Sequence, residues 1–242
     1  MNSRNGSSAL NHQITRLAAA LTIVEERGWF AQRSAATRKR LASIAKLRHF
    51  DTDEPVYLIG DVPTGVFGLV RGSLNCSFPR SDGEDYVMHR TGAGFWFGDL
   101  ALLSDRPRLA SFRAAEPTTL VLLPIQELRG IIRETPSLYA DFYQLTYENF
   151  ESAFKIITNL SMQSASKRVA DKLLFELDAW PNDDGWLPIS QTDLARMTAI
   201  SVPTLQRVVR RFAQEGSIEK SYGRIKVIDR EQLRRVCLRD GF

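Results

Sequence analysis

The chain has 242 residues, is 43% hydrophobic and 25% charged, and carries a net charge of +4. That length and composition suit one large or two ordinary globular domains with a real core, and a charge this small gives only mild support for nucleic acid as a partner. No apolar run approaches a membrane span, and no N-terminal apolar segment with a cleavage site is present, so a cytoplasmic protein without a membrane partner is expected.

The two cysteines, Cys76 and Cys237, are too few and too far apart for a disulfide framework. An iron–sulfur cluster usually needs four thiolates, so none is expected. His12, His49 and His89 show no ligand spacing, and no metal site is expected. Neither a nucleophile–base arrangement nor a glycine-rich phosphate loop is present, so the chain reads as a non-enzyme with no catalytic residues.

Residues 1–11 read as a polar, frayed end. Residues 12–26 repeat apolar side chains at helical spacing, through Ile14, Leu17, Ala18, Leu21 and Val24. The default role of this N-terminal extension is packing on the next domain. A second helix is expected over 35–47, basic through Arg38, Lys39, Arg40 and Lys46.

From His49 the pattern changes to short strands separated by turn residues. Strands are expected at 55–59, 66–70, 73–78, 86–90, 110–115 and 118–124. The turns are Gly60-Asp61, Arg71-Gly72, Ser81-Asp82-Gly83 and Gly92-Ala93-Gly94. Many short strands with regular turns indicate a β-sandwich or roll. Within this region lies FGDLALLSDRPRLASFRA, residues 97–114.

Residues 136–160 form a long helix opened by Pro136. Tyr143, Thr146, Phe150, Ala153, Ile157 and Leu160 follow three–four spacing, and Tyr147 and Phe154 widen the stripe. Such a seam is too apolar for a solvent-facing surface, and a second copy of the chain is the expected partner. A hinge at 161–166 follows, with Ser164 or Ser166 able to cap a helix over 167–177.

Residues 190–212 read as two helices joined by a tight turn. Ser190 caps the first, with Asp193 three places on, and Ser201 caps the second, with Pro203 in its first turn. Ala195 is small where two helices must cross, and Leu205 and Val208 dock the second helix on the first. The spacing is that of a helix-turn-helix, although Ala199 stands where glycine is usual. The outward face carries Val202, Gln206, Arg207, Arg210 and Arg211, suited to base edges and phosphates of duplex DNA. Ser201 and Thr204, at the start of that helix, complete the expected DNA-binding set. Residues 217–229 read as a hairpin turning at Tyr222-Gly223, which would be a wing.

The segment FGD-LALL followed by PR-x-A resembles the phosphate-binding cassette of cyclic-nucleotide-binding domains. With the downstream helix-turn-helix, the pattern from about Trp29 to Val236 resembles the CRP/FNR superfamily of bacterial transcription regulators. The resemblance implies an α+β fold: an N-terminal antiparallel β-roll (a double-stranded β-helix), a long dimerisation helix and a C-terminal winged helix-turn-helix. The expected segments are an extension over 1–28, a sensor roll over 29–135, a dimerisation helix over 136–162 and a DNA-binding domain over 163–242.

The resemblance also implies an effector set. Gly98 and Leu100 offer backbone, Asp99 stands where an acid holds the ribose hydroxyl, and Arg108 stands at the phosphate arginine, with Leu109 and Ala110 following. On the residues alone, a surface salt bridge stays open for Arg108. Asp99 is one methylene shorter than the usual Glu, and Leu109 lacks the hydroxyl that would bond phosphate. The pocket-closing positions of the long helix are expected near Ala153 and Phe154, neither of which can bond a base edge.

The expected function is a homodimeric, sequence-specific DNA-binding transcription regulator. Its partners would be a pseudo-palindromic duplex, a second copy of the chain and RNA polymerase. The roll would bind a cyclic nucleotide or another small effector, or serve as a constitutive scaffold. The alternative is a cyclic-nucleotide-binding signalling module whose C-terminal domain makes protein contacts.

Overall fold

The computed structural model describes residues 3–79, 85–179 and 184–238, with backbone alone over 3–13 and at 179. In chain order the elements are α1 (Ser3–Glu25), α2 (Gly28–Ala31), α3 (Ala35–Ala42), β1 (Lys46–Phe50), β2 (Pro55–Tyr57), β3 (Gly65–Arg71), β4 (Leu74–Pro79), β5 (Asp85–Thr91) and β6 (Trp96–Phe97). Then come α4 (Asp99–Ser104), β7 (Ser111–Ala114), β8 (Thr118–Pro124), α5 (Ile125–Glu134), α6 (Leu138–Ser161) and α7 (Ala165–Ala179). The last are β9 (Trp186–Leu187), α8 (Gln191–Met197), α9 (Val202–Gln214), β10 (Ile218–Ser221), β11 (Arg224–Val227) and α10 (Arg230–Leu238). The chain divides into two compact units, Met1–Cys76 with Arg90–Phe150, and Ser77–His89 with Glu151–Phe242.

Two four-stranded sheets, ordered β1-β8-β3-β6 and β2-β7-β4-β5, make the expected roll. Its logic is the two-residue period of a strand. In β3 and β8, Val66, Val70, Val121 and Leu123 enter one core with Trp29, Phe30, Leu128, Ile132, Phe142 and Leu145 from the helices. The alternate residues Phe67 and Leu69, with Leu120 and Leu122, are buried on the other face. Tyr57, Phe67, Phe97 and Phe112 pack there with ring centroids 4.3–5.9 Å apart. That is the interior of the roll.

The N-terminal extension packs as expected, with Ala20 and Val24 in the helix-side core. Its helix begins at Ser3 rather than near residue 12, with no proline in that stretch to stop it. The basic helix is shorter than expected. It ends at Ala42, because Lys46 and Leu47 pair with Leu122 and Val121 in the sheet. The amphipathic α5 is a further helix beyond those expected; Leu128 and Ile132 lock it to the core. The turn expected at Ser81-Asp82-Gly83 lies outside the described residues.

The second unit has its own core, in which Val169, Leu173, Leu194, Leu205, Val209, Phe212, Ile225 and Leu233 are buried. Ser164 caps α7, its Oγ accepting from the Lys167 N–H at 3.4 Å. Strands β10 and β11 pair around Tyr222-Gly223, and β9 adds a third strand. That is the wing. Among the described residues, no helix is long and apolar enough to cross a membrane.

Candidate functional site

The cassette begins at Gly98, whose φ of 92° places it in the left-handed region. A Cβ there would sit 2.6 Å from Arg108 Nη1, so only glycine lets the guanidinium close in. Arg108 is 3% exposed, which removes the surface salt bridge as a reading. Its Nη1 donates to the Gly98 carbonyl at 3.0 Å and its Nη2 to the Gly65 carbonyl at 2.6 Å. The guanidinium lies 4.1 Å from the Tyr57 ring centroid. Its Nε is buried and has no hydrogen-bond acceptor among the described residues. Burial draws the Arg108 pKa below its ordinary value, opposed by Tyr57, Asp99 and Asp61.

Asp99 is also buried, at 3% exposure. Its Oδ2 accepts from Thr146 Oγ1 at 2.6 Å and its Oδ1 from Asn149 Nδ2 at 2.8 Å. Burial pushes the Asp99 pKa up, against hydrogen bonds from Thr146, its own backbone and Asn149 and the charge of Arg108. The acid expected to hold a ribose is therefore bonded to α6. Leu100 and Ala110 are partly buried, while Leu109 is 61% exposed.

One expectation about α6 is corrected by these bonds. Thr146 is 9% exposed and turned toward Asp99, so it is not part of the outward seam. The α6 positions that bond to the cassette are Thr146 and Asn149, and Phe154 is 63% exposed. The cause is helical phase. Phe142, Leu145, Thr146 and Asn149 share one face, at three–four spacing. Tyr139, Tyr143, Tyr147, Phe150, Phe154 and Ile157 share the other and are 50–67% exposed. Ala153 and Leu160 are half-buried.

In the second unit, Ser190 Oγ accepts from the Asp193 N–H at 3.0 Å, and Ser201 Oγ from the Thr204 N–H at 3.4 Å. Ala195, Leu205 and Val208 are buried at the helix crossing. Ala199 adopts a φ of 49°, the left-handed turn residue that its position demands. Gln206, Arg207, Arg210 and Arg211 are exposed along α9, as is Ser201, and Thr204 is half-buried. Val202 departs from expectation, since it packs partly against the core rather than facing outward. Arg207 Nη2 lies 3.4 Å from Thr204 Oγ1, and Arg211 Nε lies 3.7 Å from Glu215 Oε1. Both arginines can exchange these exposed contacts for a ligand at small cost.

A family model of the cyclic nucleotide-binding domain matches residues 47–135. A second, of the Crp-like helix-turn-helix domain, matches residues 167–236. The cyclic AMP receptor protein of Thermus thermophilus is 26% identical over 183 residues, 74% of this chain and 82% of that one. The solved structure of FixK2 from Bradyrhizobium japonicum overlays with a TM-score of 0.72 at 19% identity, covering 80% of this chain and 97% of that chain. A CRP/FNR-family transcriptional regulator from Thermus thermophilus overlays at 0.63 and 22% identity, covering 81% and 100%. At these identities the overlays show a shared fold.

The chain belongs to the CRP/FNR superfamily of transcription regulators.

In this CRP/FNR chain the cassette residues Gly98, Asp99 and Arg108 converge in the first unit. The basic face of α9 lies in the second. Sequence reasoning missed Tyr57, Thr146 and Asn149. Thr146 and Asn149 had a signal, as polar residues within a second apolar stripe of α6. Tyr57 had none, because its contact with Arg108 joins β2 to a loop distant in sequence.

Proposed function

We propose that this regulator acts as a homodimer that reads a pseudo-palindromic duplex site, with the two α9 helices in successive major grooves about one helical turn apart. The observation that carries this reading is the outer face of α9: Gln206, Arg207, Arg210 and Arg211 stay exposed on a helix whose opposite face is fully packed. The six exposed aromatic and aliphatic side chains of α6 supply the surface for the second copy. RNA polymerase is the further partner such a regulator needs.

The test is equilibrium binding of the purified chain to a random duplex pool, followed by selection and sedimentation of the complex. Enrichment of an inverted-repeat site by a dimer is expected. A chain that binds no duplex would favour instead a signalling module with protein partners.

The matched domain and the name of the Thermus relative make a cyclic nucleotide the effector class to test. Cyclic AMP itself is expected to bind poorly. Asp99 is already bonded to Thr146 and Asn149, and Leu109 has no hydroxyl for phosphate. Each hydrogen bond missing from a buried site costs about 1–3 kcal/mol, and two together roughly 10²-fold in affinity. Calorimetric titration of cyclic AMP should therefore show no binding below micromolar concentrations. Sub-micromolar affinity that disappears in Arg108→Ala would overturn this expectation.

A second reading, that the roll takes a different anionic effector, is favoured by Arg108, whose buried Nε lacks an acceptor among the described residues. The same titration run with cyclic GMP and inorganic phosphate decides it.

A further inference from the structure

Where α8 gives way to the turn, three consecutive carbonyls, those of Met197, Thr198 and Ala199, are each held by a side chain from outside the two helices. Tyr86 Oη, on β5, donates to the Met197 carbonyl at 3.0 Å. Arg168 Nη1, on α7, donates to the Thr198 carbonyl at 2.8 Å and lies 3.3 Å from that of Ala199. The same arginine is itself fixed, its Nε and Nη2 donating to the Met162 carbonyl at 3.2 and 2.8 Å.

These bonds converge on the one strained residue of the motif. Ala199 is held at a φ of 49°, where its Cβ crowds the following carbonyl. Alanine has no side-chain hydrogen bond with which to stabilise that conformation, so the neighbours must supply it.

The two elements that carry Tyr86 and Arg168 also share a buried ionic cluster. Glu176 Oε1 lies 2.7 Å from Lys172 Nζ and 3.1 Å from His89 Nδ1, and the three side chains are 1%, 3% and 8% exposed. Arg168, Lys172 and Glu176 recur every fourth residue, so they share one face of α7. Tyr86 and His89 lie three apart on β5. Strand β5 is thereby pinned along α7, with its tyrosine at the turn. Burial raises the Tyr86 pKa, partly opposed by Arg168, so the phenol stays a donor.

We infer that Tyr86 and Arg168 are positioning residues for the DNA-reading helix, holding the Met197–Ala199 carbonyls so that α9 leaves the turn in one direction. The inference rests on the reading of α9 as the DNA-contacting helix.

Its test uses the full chain, Tyr86→Phe, Arg168→Lys and each variant combined with Ala199→Gly. Hydrogen exchange of the Ala199 and Ile200 amides is read without DNA, and affinity is read on the selected duplex. Tyr86→Phe removes one hydroxyl and keeps the ring. It should speed exchange at those two amides, leave the α7 amides unchanged and weaken specific binding about two- to tenfold. Arg168→Lys keeps the charge but cannot span both carbonyl groups, and should do the same.

Adding Ala199→Gly removes the crowding at positive φ and should return affinity to within about twofold of the original. A purely structural role would instead speed exchange across α7 as well. Unchanged exchange in both single variants, or weakened binding that Ala199→Gly leaves uncorrected, would overturn the inference. Failure of the unmodified chain to bind any duplex would instead refute the reading of α9, and the exchange measurement would still decide the positioning role.

Discussion

Replacing Phe150 and Ile157 together with Glu is expected to yield monomers that no longer bind a specific duplex. Both side chains lie on the outward face of α6, 50% and 60% exposed in the single protomer. A two-fold contact along that face would bring four new carboxylates together. Each would lose water without gaining a counter-charge, at a cost of several kcal/mol, roughly, per ion. Every 1.4 kcal/mol, approximately, is a factor of ten in the dissociation constant, so even a nanomolar dimer would come apart at working concentrations.

The same exposure predicts that the protomer survives the change, because neither side chain contributes to a buried core. Sedimentation should give the mass of one chain, with the circular dichroism of the original. Operator binding should fall to the level of unspecific duplex, since one reading helix makes half the contacts. A double variant that still sediments as a dimer would move the interface to another surface.

The helix-turn-helix was legible because its signals are local. A hydroxyl one residue before each helix, a small residue at the crossing and two apolar residues three apart all act within about twenty positions. Six of the eight strands of the roll were legible for the same reason, through turn residues and alternation, whereas β1 and β6 were not expected. What could not be read was any contact closed by the fold. Arg108 stays buried because Tyr57 and Phe67 wall it and the Gly98 and Gly65 carbonyls accept from it, and those residues come from β2, β3 and the start of α4.

Thr146 shows the same limit more sharply. Its three–four spacing with Phe150 agrees with a seam, yet the opposite stripe of Phe142 and Leu145 turns it inward. Periodicity alone cannot phase a helix that is apolar on two sides. Val202 fails similarly, since the first turn of α9 is close enough to the core for its methyl groups to pack. Tyr86 lies far from the motif it touches, and no spacing rule could have joined them.

Arg207→Ala should weaken binding to the best site by about 1–3 kcal/mol and relax selection at one base pair in each half-site. Arg207 is exposed nearly two turns after the Ser201 cap, in the N-terminal half of the reading helix that meets base edges. Its guanidinium can make two bonds to guanine, and Gln206 can do the same with adenine. Val202 and Pro203 offer no hydrogen bond to a base, and the partial burial of Val202 removes it further from the groove. Specificity should therefore rest on Gln206 and Arg207.

Arg210 and Arg211 stand a turn later, where phosphate is the nearer partner. Arg210→Ala should weaken all duplexes alike and lower the steepness of the salt dependence by about one released ion per protomer. The two variants thus separate base reading from phosphate contact on the same helix. Selection from random duplexes, with the original chain and both variants, checks this. An unchanged site with unchanged stringency for Arg207→Ala would mean that α9 presents a different face to the groove.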